Sequence, residues 1–160
     1  GTNNILKAIQ KKCKIIFPST HVIFEGLENT EIEKITHICC GYPDKLDVIN
    51  YPKAPLDSYK KIAKALDASL IDSVSIEDAH RYNDLELLRN FTKTKVIFGF
   101  IKIASSQIET KEEIENRVLD ALNYIDKQQL IAAPDCGLGH LSRQLAIKKL
   151  KIMVDVAKKF

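Results

Sequence analysis

The sequence predicts an α/β protein, a parallel sheet whose strands are joined by helical crossovers. Three observations predict it. Short apolar runs alternate along the chain with segments whose apolar residues recur at helical spacing. The runs are continuously apolar instead of alternating, the pattern of strands buried on both faces. Four strand–loop–helix units follow one another in order. An open doubly wound sheet and part of a (β/α)8 barrel both accommodate that order, and in both the chemistry gathers at the carboxyl ends of the strands.

The first run, Ile35 to Cys39, stops at the loop residues Gly41, Pro43 and Asp44. Leu56, Tyr59, Ile62, Ala63 and Leu66 then recur at helical spacing, which predicts a helix over 56–66. Leu70 to Ile76 is the second strand and Leu85 to Phe91 a short helix. Lys95 to Ile103, rich in Val, Ile and Phe, is the third strand. Thr110 with Glu113 three residues on forms a capping box that opens a helix over 110–124, with the stripe Ile114, Val118, Ala121, Leu122 and Ile125. Leu130 to Ala133 is the fourth strand, stopped by Pro134, and Leu141 to Phe160 is the last helix. Ahead of these, Ile5, Leu6, Ile9 and Cys13 suggest a helix and Pro18 interrupts the next stretch. His21 to Leu27 fits a strand or a helix equally, so residues 1–33 carry no firm assignment.

A chain of 160 residues is enough for one domain with a core. The 45% hydrophobic and 28% charged fractions are those of a globular protein. The net charge of +3 comes largely from Lys148, Lys149, Lys151, Lys158 and Lys159, which read as the solvated face of the last helix. That face is too diffuse to imply nucleic acid as a partner. No apolar stretch reaches membrane-spanning length, and the start Gly1-Thr-Asn-Asn4 lacks a signal pattern. A cytoplasmic location is therefore expected, where thiols stay reduced. Cys13, Cys39, Cys40 and Cys136 then read as buried, metal-binding or catalytic before they read as disulfides. No glycine-rich phosphate loop is present, since Asp135-Cys-Gly-Leu-Gly139 lacks the dinucleotide spacing.

Each of His37, Cys39, Glu77 and Cys136 lies at or near the end of a strand-like run. Imidazole, thiolate and carboxylate are the ligands zinc takes. A spacing of two puts His37 and Cys39 on one side of a strand and turns Cys40 to the other. The same four residues would also serve as two buried thiols, a core histidine and a helix-capping glutamate. Close by, Asp135 adjoins Cys136 and can position it. His140 follows the same turn, and Ser105 and Ser106 precede a helix whose N-terminus favours an anion. His80 stands in the polar loop Asp78-Ala-His-Arg-Tyr-Asn83 and Tyr42-Pro-Asp44 reads as a turn.

Three of these segments resemble the catalytic domain of cobalamin-independent methionine synthase, specifically its C-terminal half. His37-Ile-Cys39 is similar to the family's first ligand motif, Ser75-Ile-Glu77 to the strand carrying the glutamate ligand, and Pro134-Asp-Cys-Gly-Leu138 to the segment of the last ligand. They occur in family order over about residues 34–145. The resemblance implies the C-terminal half of a (β/α)8 TIM barrel, here residues 1–160 as one partial catalytic domain. It implies zinc held by His37, Cys39, Glu77 and Cys136, with Glu77 as the adaptable oxygen ligand. It also implies methyl transfer to the thiol of homocysteine, with methyltetrahydrofolate or a corrinoid as donor. Asp135, His140 and Ser105 would then lie near the substrate. The chemistry is coherent, because a free thiol with a pKa of about 8.5 is mostly protonated at neutral pH, whereas a metal-bound thiol is deprotonated and can attack an activated methyl group.

The match departs from the family at two places. The longer enzymes carry an Asp and a proton-delivering His after the third of these strands; Lys102 and Ala104 stand there in Gly99-Phe-Ile-Lys-Ile-Ala-Ser-Ser106. The shorter, core-type relatives are closer in that loop. The resemblance also covers only half a barrel, whose open edges and apolar flank need cover. Pairing with a second copy or with a separate N-terminal half-barrel is expected, unless the chain is a fragment. Two rival functions fit the same framework: alkyl transfer to another small thiol, and a non-catalytic half-domain that keeps zinc for stability.

Overall fold

The computed structural model describes residues 15–17 and 33–160. The readings for residues 1–14 and 18–32, including Cys13 and the run from His21, lie outside them. Among the described residues, five strands form one sheet: β1 (Ile15–Phe17), β2 (Lys34–Ile38), β3 (Ser73–Ile76), β4 (Lys95–Ile101) and β5 (Leu130–Pro134). α1 (Ser58–Ala68) joins β2 to β3, a 3-10 helix (Leu85–Asn90) joins β3 to β4, and α2 (Lys111–Leu122) joins β4 to β5. α3 (Arg143–Ala157) follows β5. The four expected strand–helix units are present, and β1 is an additional strand within a region the sequence left unassigned.

All four pairings are parallel and the spatial order β1-β2-β3-β4-β5 follows the chain. Such an order has no point where the strand sequence reverses, which a doubly wound sheet requires. Right-handed crossovers that always step the same way put every connecting helix on the same face of the sheet. The architecture is that of a barrel wall. On the helix side, Val74, Ile76, Val96 and Phe98 are buried against Tyr59 and Ala63 of α1, Ile114 and Val118 of α2, and Met153 and Val156 of α3. The opposite face carries the row His37, Ser75, Ile97 and Ile131, aligned across β2 to β5. Those four side chains are only half-buried. Among the described residues no helix covers this row, while Ile35 and Ser73, two positions earlier on the same face, are buried.

Most ends differ from the sequence reading by one to three residues. α1 starts at Ser58, beyond Pro55, and α3 starts at Arg143 because Ser142 caps it through the Leu145 N–H. The capping box of α2 forms as read, Thr110 with Glu113. One expectation is corrected. Lys149 does not belong to the solvated face of α3; it is fully buried, with Nζ 3.0 Å from Glu109 Oε1 and donating to the Lys102 carbonyl oxygen at 3.1 Å. A basic run on a helix has no marker for the one lysine that faces inward; the partner, Glu109, lies forty residues upstream.

A second buried ion pair ties α2 to the turn after β3. Arg117 Nε donates to Asp78 Oδ2 at 2.7 Å and its Nη2 to Asp78 Oδ1 at 2.8 Å, with the Asp78 side chain wholly enclosed. Arg117→Met strands that carboxylate, and the expected loss in chemical denaturation is about 3–5 kcal/mol. A loss under about 1 kcal/mol, the size of an exposed pair, would show that Asn83 alone suffices to hold Asp78.

Candidate metal centre

The carboxyl ends of β2 and β3 are stitched together before any ligand is considered. Tyr59 of α1 donates its hydroxyl to the Ile38 carbonyl at 2.9 Å and accepts the Glu77 N–H at 3.2 Å. The end of β5 is tied in by Asp135. Its Oδ1 accepts the N–H groups of Asp78 and Ala79 at 2.8 and 2.9 Å, and its Oδ2 that of His80 at 2.7 Å. Burial pushes this carboxyl up to about 7 against the pull of the three amides. Gly99 makes room for the arrangement: a Cβ there would sit 2.9 Å from the Asp135 Cα.

On this frame His37 Nε2, Cys39 Sγ and Cys136 Sγ come together, all within 4.8 Å of one another. His37 is oriented from behind, with Nδ1 2.9 Å from the Ser75 hydroxyl, its register partner on β3, leaving Nε2 3.2 Å from Cys136 Sγ. The hydrogen bond from His37 pulls the Cys136 thiol down to about 7, and the same contact raises the histidine. Burial raises the Cys39 thiol, and Cys136 adds to the rise. The Tyr42 hydroxyl lies 3.6 Å from Cys136 Sγ and is pushed up to about 12 by that contact. Cys40 turns to the other side and packs against the helix-face core.

Glu77 lies outside the group of three. Its Oε1 accepts the Cys40 N–H at 2.7 Å and is 2.8 Å from Lys53 Nζ, while its Oε2 is buried without a hydrogen-bond partner. Two thiols and an imidazole brought together are the donors a thiophilic cation takes, and the orphaned Glu77 oxygen is a further donor left unused by the fold. Of the other expected residues, His140 stands edge-on to the Tyr42 ring at 5.7 Å and so borders Cys136 through that ring. Asp135 faces the backbone of the neighbouring turn. Ser105 Oγ is 3.4 Å from Asp47 Oδ1 and accepts the Gln107 N–H, in a loop where Asp47 also holds the Ser106 N–H at 2.7 Å.

Residues 29–159 match the family described as the cobalamin-independent synthase catalytic domain. The chain belongs to this family. A methionine synthase of Saccharolobus islandicus (strain Y.G.57.14) is 27% identical over 97% of the chain and 46% of its own length. A methionine synthase of Thermococcus kodakarensis is 31% identical over 61% of the chain and 29% of its own length. The solved B12-independent methionine synthase of Shewanella sp. W3-18-1, in complex with selenomethionine, superposes with a TM-score of 0.68 at 29% identity, covering 83% of the chain and 40% of that protein. The chain thus spans less than half the length of each of these family members, and its sheet is part of their TIM barrel.

The sequence reading named Ser75 only within the Glu77 motif and Tyr42 only as part of a turn, and it did not name Lys53. Ser75 had a usable signal, since it precedes Glu77 by the same two-residue step that links His37 to Cys39. Tyr42 and Lys53 sit in an irregular loop where no period assigns a direction. His80 was read as a loop residue. In the structure its Nε2 accepts the N–H groups of Ile103 and Ala104, both at 3.0 Å. Burial lowers its pKa to about 4 from an ordinary 6.5, so it is neutral in the fold and takes up a proton on unfolding below about pH 6.5. Its contribution is complete above that value and is lost as the pH falls toward 4. Unfolding free energy in urea should fall from pH 7 to 5, and fall less in His80→Gln. Parallel pH profiles would show that His80 does not contribute.

Proposed function

We propose that this chain carries the zinc centre of a methyltransferase that acts on the thiol of homocysteine. The observation that carries the reading is the meeting of His37 Nε2, Cys39 Sγ and Cys136 Sγ at the carboxyl end of a parallel sheet, in a chain of the cobalamin-independent synthase family. Two sulfurs and an imidazole nitrogen are a zinc donor set. Glu77, with one carboxylate oxygen unpartnered, is the fourth and adaptable ligand. Zinc bound there would keep a substrate sulfur deprotonated and nucleophilic. Ser75 fixes the His37 ring so that Nε2 faces the cluster, the usual role of the group behind a ligating histidine. Tyr42 and His140 form the wall beside Cys136 along which the thiol enters. Asp135 acts through the turn it holds, and Ser105 is engaged by Asp47, so neither is assigned a substrate contact.

The methyl donor is a methylated corrinoid or methyltetrahydrofolate. Ala104 is buried and offers no acid at the place where the longer enzymes deliver a proton. That favours a donor whose leaving group departs unprotonated. The half-buried row His37, Ser75, Ile97 and Ile131 supports the reading of residues 1–160 as one partial catalytic barrel domain. A second copy or an N-terminal half-barrel completes it.

Elemental analysis of protein purified without chelator should give about one zinc per chain. Ser75→Ala should weaken zinc binding roughly 10–100-fold, the effect of losing an outer partner, and Cys39→Ser or Cys136→Ser more than that. Metal-free protein would overturn the centre. Methyl transfer to homocysteine from methylcobalamin or methyltetrahydrofolate, assayed alone and with an N-terminal half-barrel, tests the reaction; no methionine in any combination would overturn it.

A further inference from the structure

Lys53 is the cation nearest Glu77, and its setting is unusual. The two side chains are 8% and 4% exposed, with Nζ 2.8 Å from Oε1. Nζ has no aligned hydrogen bond and neither does Glu77 Oε2. A buried ion pair left half-satisfied contributes little to stability, and apolar residues of similar volume would serve a core as well or better. Yet the backbone around it is firmly held. The Ala54 N–H donates to the Cys40 carbonyl at 2.9 Å, and Arg81 Nη2 donates to the Ala54 carbonyl at 2.7 Å. Gly41, at φ +103°, lets the chain turn so closely that a Cβ there would meet the Pro52 carbonyl oxygen at 3.2 Å. The loop after β2 and the turn after β3 thus deliver one ammonium group to one carboxylate.

We propose that Lys53 is a positioning residue that competes with the metal for Glu77, and so sets how readily the fourth ligand gives way to a thiol. The proposal rests on the zinc reading above. Two thiolates balance a zinc dication, and Glu77 adds one negative charge that Lys53 offsets. An entering thiolate brings a further negative charge. With Lys53 present, Glu77 has a second place to rest its charge and the thiolate meets a less negative centre. Without Lys53, the carboxylate keeps only the Cys40 N–H besides the metal, so zinc is held more tightly and the thiol is admitted less easily. The two affinities therefore move in opposite directions, whereas a purely structural role would lower both.

The experiment compares Lys53→Met, Lys53→Gln and Lys53→Arg with the unmodified chain. Zinc affinity is read by chelator competition, and homocysteine binding by the sulfur-to-metal absorption of the cobalt-substituted protein. Lys53→Met and Lys53→Gln are expected to bind zinc more tightly and homocysteine more weakly, each by about tenfold, a usual size for coupling between two bound groups. Lys53→Arg should stay near the unmodified protein. Unchanged affinities, a joint loss of both, or failure of both neutral variants to fold would overturn the proposal. If the unmodified chain binds no zinc, the zinc reading falls and Lys53 with it. Bound zinc with insensitive variants removes Lys53 alone.

Discussion

The three amide hydrogen bonds to Asp135 are the constraint on which the candidate centre depends. They join the end of β5, where Cys136 sits, to the turn after Glu77, across the end of β4. A carboxylate is suited to this because it accepts several N–H groups at once. Isolated from water it would be costly, but each of its oxygens is engaged by backbone. The absence of a side chain at Gly99 lets the carboxylate cross β4. Cys136 thereby inherits its position from a backbone network and not from its own contacts, which leaves its sulfur free to face His37.

The same economy recurs around the sheet end. Asp78, inside the turn that Asp135 holds, is clamped by Arg117 from α2. Lys149 from α3 holds Glu109 and the Lys102 carbonyl, fixing the loop after β4. Lys53 reaches Glu77 from the loop after β2. In each case an irregular segment is fixed by one buried charge and its partner. Buried pairs are weak contributors to net stability but punish the loss of either member, so they suit loops that need a defined shape more than extra stability.

The fold was legible in the sequence wherever periodicity operates. The apolar runs located β2 to β5, and Thr110 with Glu113 marked the start of α2 to the residue. The choice between a doubly wound sheet and a barrel wall was not legible from pattern, because both give the same alternation; the strand order decides it. The His37–Cys39 pair and the outward turn of Cys40 follow from the two-residue period of a strand. Lys149 and Lys53 were illegible for one shared reason. A lysine reads as exposed unless its counter-charge is known, and those counter-charges, Glu109 and Glu77, lie forty and twenty-four residues away along the chain.

The two sides of the sheet make different demands on the chain. The helix side is closed by α1, α2 and α3, and its side chains reach full burial at Val74, Val96 and Phe98. The other side offers Ser75, Ile97 and Ile131, half-buried, in line with His37. In a closed barrel such a row fills the interior in layers and is a packed core. The sulfur and nitrogen ligands do not depend on that closure, because β2, β3 and β5 with their loops hold all three. What closure would supply is the exclusion of water above the cluster, which strengthens every charge interaction there. On the proposed function, metal binding and methyl transfer would therefore be separable: the first would rest on these residues, and the second on whatever covers the open face.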